Sequence, residues 1–195
     1  MTSGTLEHTG ECLARPSSLV TAVGALVALG CGAFAAVNVW FEITGKFDSG
    51  PYAADADALS VANWYVVVLK LVGVAAAILA VTQPPRFLRP GTVGMVLWAA
   101  FATLTTYVAG SLAEAVVILS GEAGDPESID LASVGYVLAF ALAAAGFGVL
   151  AVSYTRRARV RRRHILLGVC GAPLVLGSIL VVLPALLRAT GVLSG

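Results

Sequence analysis

Residues 61–81, VANWYVVVLKLVGVAAAILAV, decide the fold of this chain. The segment is apolar except for Lys70 near its middle, and it is as long as the roughly 20 residues that a helix needs to cross a bilayer. A lysine at the centre of such a helix costs roughly 2.5–3.5 kcal/mol on insertion scales. The sequence therefore predicts a membrane-spanning helix whose lysine needs a partner or a role.

The composition extends this prediction to the whole chain. Of its 195 residues, 58% are hydrophobic and 12% are charged, whereas a soluble domain carries about 25% charge. We predict an all-α integral membrane protein, a bundle of five transmembrane helices formed by residues 18–188. The predicted spans are 19–43, 61–81, 93–119, 131–152 and 165–187, with a polar segment at 1–17 and a short tail at 189–195.

The first apolar run contains two features of processing signals. Residues 33–35 match an Ala-x-Ala cleavage site, and residues 28–31 form an imperfect lipoprotein motif. The apolar run continues beyond both, and few positive charges precede it, unlike in a secretory signal peptide. A retained transmembrane helix is therefore the favoured interpretation.

The arginines set the predicted orientation. Six of them lie between Arg156 and Arg163, and Arg86 and Arg89 separate the second run from the third. The positive-inside rule assigns these connections to the cytoplasm. We therefore predict a cytoplasmic N-terminus, which Arg15 supports, acidic loops outside, and a C-terminus outside.

The Arg156–Arg163 run also has the composition of a nucleic-acid or anionic-lipid contact. Because apolar runs flank it directly, we favour a stop-transfer cluster, with membrane lipids and not nucleic acid as partners. The bias to arginine over lysine, with abundant Ala, Val and Gly, is typical of a high-GC bacterial genome. The expected location is the plasma (inner) membrane, crossed several times.

Polar residues inside the runs are the candidate site. Counted from the outer surface at 1.5 Å per residue, Lys70 lies about 15 Å deep and Glu114 about 9 Å deep. Helical spacing places polar residues of three runs on one face each. These faces are Asn38 with Glu42, Asn63 with Lys70, and Tyr107 with Ser111 and Glu114. We predict that the three faces converge on an outward-opening polar pocket.

Three interpretations of Lys70 are open. A Lys70–Glu114 ion pair, with Asn38 hydrogen-bonded nearby, would join the second and third helices, since buried charges are normally paired. Alternatively, Glu114 or Glu42 is a proton-binding or acid/base group, with Lys70 as its modulator or as a ligand anchor. In the third interpretation, Lys70 extends alone towards the membrane surface.

No motif indicates a cofactor or a metal. The histidines, His8 and His164, lie outside the apolar runs, and none of the cysteines forms a Cys-x-x-Cys pair. These arrangements do not favour an intramembrane haem or a zinc site. Phosphate-binding loops, zinc-protease motifs and nucleophile elbows are also absent from the sequence.

Three function classes follow, and the sequence leaves open whether the protein is an enzyme. The favoured class is a non-catalytic membrane subunit or ligand-binding protein, using the outer pocket or the small-residue stripe Gly24–Ala28–Gly32 to bind a partner. The second is a cofactor-free cyclase or isomerase, with Glu114 or Glu42 as general acid on a lipophilic substrate. The third is a proton- or cation-coupled transporter. Predicted binding residues are Asn38, Asn63, Lys70, Tyr107 and Ser111.

Overall fold

A computed structural model describes residues 14–49, 53, 55–83, 85, 88–121 and 130–189. The regular elements in these ranges are helical: α1 (Ser18–Ile43), α2 (Ala56–Val81), α3 (Pro90–Leu119), α4 (Leu131–Arg157), α5 (Arg162–Gly177), a π-helical turn (Ser178–Val182) and α6 (Leu183–Ala189). Four of them, α1 to α4, are long and apolar enough to cross a membrane, which indicates a multi-pass membrane protein. Most of the predicted N-terminal segment, most of the predicted tail and most of the second acidic loop lie outside the described residues.

The fifth predicted span, 165–187, differs from the other four. It is divided into α5, the π-helical turn and α6, whereas α1 to α4 are each long and apolar enough to cross a membrane as a single helix. Pro184 has no backbone N–H to donate to residue 180, which weakens the α-helical ladder at this point. The hydroxyls of Tyr65 in α2 and Ser178 in the turn are hydrogen-bonded at 3.0 Å.

Local signals explain where the helices begin. The Ser17 hydroxyl accepts the Val20 N–H at 3.4 Å at the start of α1, and the Asp130 carboxylate accepts the Ser133 N–H at 2.8 Å at the start of α4. Hydrogen bonds from the side chain and backbone of Ser133 lower the pKa of Asp130, so this N-cap is strongest when the carboxylate is ionised. Helix α2 begins at Ala56, five residues before the predicted run.

Glycines allow the helices to approach closely. A Cβ on Gly24 of α1 would lie 2.5 Å from Cγ1 of Val81 in α2, and one on Gly168 of α5 would lie 2.8 Å from Cβ of Trp98 in α3. Only part of the predicted small-residue stripe is used in this way, because a Cβ on Gly32 would meet nothing within 4 Å. The resulting pairs are α1 with α2, and α3 with both α4 and α5.

The bundle is packed most tightly at one end. Among the described residues, we call the end formed by residues 14–17, 82, 83, 85, 88, 89 and 155–164 the arginine-rich end. The opposite end, formed by residues 44–49, 53, 55, 120, 121 and 130, is the acidic end. Tyr154, Leu97 and Leu150 are fully buried near the arginine-rich end, and Trp98 donates its indole N–H to the Thr155 hydroxyl at 3.0 Å. Towards the acidic end, apolar residues of α3 and α4 are exposed: Leu112, Val116, Leu119, Leu131, Val134 and Leu138.

We predict that Gly168→Ala destabilises the bundle. The new methyl group would lie 2.8 Å from Cβ of Trp98 and 3.2 Å from the Ala99 nitrogen, and closer still to the Met95 carbonyl oxygen. Because two of these atoms belong to the backbone, α5 must move away from α3, at a cost typical of overpacking, about 1–3 kcal/mol. The measurement is the free energy of unfolding of the purified protein in detergent.

The matched control is Gly110→Ala in α3, where a Cβ meets nothing within 4 Å. Alanine in an open helical position stabilises by about 0.4–1 kcal/mol. Equal stability of the two variants would contradict the packing of α5 on α3.

Candidate functional site

Five polar side chains of α1 and α2 form one hydrogen-bonded group between these helices. We call this group the polar cluster: Asn38, Glu42, Ser60, Asn63 and Lys70. Asn63 is its centre and is 7% exposed, while the other four are partly buried. Along α2 the cluster extends from Ser60 to Lys70, about 15 Å at 1.5 Å per residue.

The hydrogen bonds run in one direction through the cluster. The Lys70 ammonium donates to Oδ1 of Asn38 at 2.7 Å, and Nδ2 of Asn38 donates to Oδ1 of Asn63. Asn63 in turn donates from Nδ2 to Oε1 of Glu42 at 2.6 Å and to the Asn38 carbonyl at 2.9 Å. A positive group and a negative group are thus connected through two amides whose dipoles point the same way. In such a chain each hydrogen bond strengthens its neighbours.

Lys70 has two further contacts, both with Phe34 of α1. Its ammonium donates to the Phe34 carbonyl at 3.3 Å, and it lies 5.4 Å from the centroid of the Phe34 ring, within the range of a cation–π interaction. The predicted ion pair between Lys70 and Glu114 is therefore wrong, since Lys70 is bound by α1 and not by α3. Sequence spacing could not exclude that pair, because it does not show which helix a polar face meets.

Glu42 is bound by two residues of α2. Besides the Asn63 amide, the Ser60 hydroxyl donates to Oε2 of Glu42 at 2.7 Å. Ser60 was not among the predicted site residues, because the predicted span begins at residue 61, whereas α2 begins at Ala56. The spacing Ser60–Asn63, three residues apart on one helical face, is the signal that would have identified it.

The polar residues of α3 do not join the cluster. The Tyr107 ring packs on Phe140 of α4, with 4.6 Å between centroids, and Glu114 is exposed. Ser111 is partly buried and forms no side-chain hydrogen bond with the described part of the chain. Of the three polar faces expected to converge, the structure brings together those of α1 and α2.

The side chains of the polar cluster form their hydrogen bonds mainly with one another. Both oxygens of Glu42 accept hydrogen bonds from α2, and Lys70 has two acceptors. Within the described ranges, no three His, Cys, Asp or Glu side chains are grouped closely enough to hold a metal ion. The arrangement is well suited to holding two helices together through buried polar contacts.

Comparison with protein-family models, with curated proteins and with solved structures found no match.

We predict energetic coupling between Lys70 and Asn38 but not between Lys70 and Glu114. Directly bonded residues give coupling energies of about 0.5–3 kcal/mol in double-mutant cycles, while separated residues add within about 0.5 kcal/mol. The measurement combines Lys70→Met with Asn38→Ala in one cycle and with Glu114→Gln in the other, scored by unfolding free energy in detergent. A larger coupling in the Glu114 cycle would contradict the observed geometry.

We also predict that Asn63→Leu lowers the free energy of unfolding more than Thr105→Val, which removes a hydroxyl outside the polar cluster. The Asn63→Leu variant leaves Oε1 of Glu42 and Nδ2 of Asn38 without a hydrogen-bond partner, at about 1–3 kcal/mol for each unsatisfied group. The control is Thr105→Val, because the Thr105 hydroxyl donates to the Phe101 carbonyl of its own helix at 2.8 Å. Similar unfolding free energies for both variants would argue against Asn63 as the centre of the cluster.

Proposed function

We propose that this chain is a non-catalytic subunit of a bacterial plasma-membrane complex, and that it binds a partner membrane protein through α3. The observation that carries the proposal is the mutual hydrogen bonding of the side chains of the polar cluster. Its side chains bind one another, so they occupy the space that a substrate would need between α1 and α2. An enzyme or a transporter would have to break these contacts to use Glu42.

The proposed topology has five spans, with the N-terminus in the cytoplasm and the C-terminus outside. The fifth span is the continuous helical stretch of α5, the π-helical turn and α6, from Arg162 to Ala189, which has the length that a bilayer requires. The charge distribution supports the orientation, because the arginine-rich end would face the cytoplasm.

Glu114 marks the proposed docking face. It is exposed on α3, and Tyr107 at 43% and Val117 at 39%, seven residues before it and three after it, are exposed on the same helical face. A carboxylate on a lipid-facing helix is costly, and such residues normally face a protein neighbour. A partner helix with a lysine, an arginine or a hydrogen-bond donor near the outer surface would satisfy Glu114 and cover the apolar residues beside it.

We predict site-specific crosslinking at this face. A photoreactive phenylalanine analogue at Tyr107 or Val117 should give a discrete adduct in membranes of the native organism, and Glu114→Leu should abolish it. Matched controls carry the same analogue at Leu26 or Leu29, which are each 70% exposed on α1 but lie away from Glu114 in the chain.

Adducts that form equally at the α1 positions, or that persist with Glu114→Leu, would contradict the proposal. An adduct of twice the chain mass of 19.9 kDa would show that α3 contacts a second copy of this chain and not a different partner protein. Turnover of a lipophilic substrate that depends on Glu42 would favour the enzyme class.

A further inference from the structure

A cavity of about 300 Å³ lies at the arginine-rich end, away from the polar cluster. It is formed where the segment before α1 meets the ends of α2 and α4. The polar residues that line it are Arg15, Thr21, Thr82, Gln83 and Arg157. Because helices α1, α2 and α4 each begin or end here, the cavity lies at the level of the lipid head groups if these helices cross the bilayer.

Arg157 fixes the walls of this cavity. Its guanidinium donates from Nη1 to the Ala14 carbonyl at 3.3 Å and from Nη2 to the Ala80 carbonyl. Its Nε is buried and has no acceptor within the described part of the chain. An arginine has five N–H donors, so the group is held in position while some of its donors are still available for an anion.

The other polar lining residues add donors and positive charge. Arg15 and Gln83 are exposed and have no hydrogen-bond acceptor for their side chains among the described residues. The hydroxyls of Thr21 and Thr82 donate to backbone carbonyls at 3.1 and 2.8 Å. The two arginines therefore supply the positive charge and most of the free donors of the cavity. Planar guanidinium groups match the oxygens of phosphate and bind them by paired hydrogen bonds.

The charge distribution selects an anion over a cation. The cavity lining contains two arginines and no acidic residue. Five more arginines lie close to Arg157 in the sequence: Arg156, Arg159, Arg161, Arg162 and Arg163. The sequence places nine of its eleven acidic residues between Glu42 and Asp130, six of them in the connections 44–55 and 120–130. Five acidic residues lie outside the described residues: Glu7, Glu11, Glu122, Asp125 and Glu127.

We infer that this cavity binds a phosphate group through Arg157 and Arg15. The phosphate is that of an anionic phospholipid head group or a free inorganic phosphate, and both present the same oxygens to the guanidinium groups. The inference does not depend on the proposed docking face, which lies on α3 towards the acidic end.

The test uses the purified full-length chain, delipidated in dodecyl maltoside. In the lipid arm, native mass spectrometry measures binding of dioleoylphosphatidylglycerol, with dioleoylglycerol as the lipid that has the same chains and no phosphate. In the phosphate arm, thermal unfolding is measured with inorganic phosphate against chloride at equal ionic strength. Each arm compares the natural sequence with Arg15→Gln, Arg157→Gln and the control Arg163→Gln, an exposed arginine of the same end that does not line the cavity.

We expect the apparent dissociation constant to rise about tenfold in Arg15→Gln and Arg157→Gln, as for loss of a charge-assisted hydrogen bond, and to change little in Arg163→Gln. If Arg15→Gln weakens binding in the lipid arm alone, the site is assigned to a phospholipid. If it weakens binding in the phosphate arm, the site is assigned to free phosphate. If Arg157→Gln fails to fold because its contacts to Ala14 and Ala80 are lost, Arg15→Gln decides. Equal losses in Arg163→Gln, equal binding of dioleoylglycerol, or binding of neither probe would overturn the inference.

Discussion

The hydrogen-bond chain from Lys70 to Glu42 is the interaction on which the arrangement of α1 and α2 depends. An unpaired ammonium in the middle of an apolar helix would be expensive, and here it is bound by Asn38 and Phe34 of the neighbouring helix. The two asparagine amides then transmit the interaction to Glu42, so that opposite charges stabilise each other without direct contact. Rotation or sliding of α1 against α2 would break several of these bonds together, which holds the pair in one register.

The two ends of the molecule are held together by different forces. At the arginine-rich end, close packing dominates, with Gly24, Gly146 and Gly168 allowing the helices to approach, and Tyr154 and Leu150 completely buried. Towards the acidic end, α1 and α2 are joined by polar contacts, while α3 and α4 expose apolar side chains. This difference is consistent with a chain that is rigid at one end and offers a surface to another molecule at the other.

Part of the candidate site could be predicted from the sequence. The residues Asn38, Glu42, Asn63 and Lys70 were selected because polar groups in apolar runs need partners, and the structure places them in one cluster. The partner of Lys70 was predicted incorrectly, because similar depth made Glu114 as plausible as Asn38. Ser60 was missed because the apolar run begins after the helix does, and Arg157 was assigned only to the arginine run although it also fixes the wall of a cavity.

The sequence by itself determined the class of structure and four long apolar helices, because hydropathy and length are properties of each segment and do not depend on its neighbours. It also identified which polar residues share a helical face, since that follows from 3.6 residues per turn. Only the tertiary structure decided which faces meet. That outcome depends on how each helix is rotated about its axis, and the rotation is set by the close contacts of small residues such as Gly24 and Gly168 with other helices. The same contacts turn Lys70 towards α1 and leave Glu114 exposed. The fifth helical stretch changes to a π-helical turn at Ser178, whose hydroxyl is hydrogen-bonded to Tyr65.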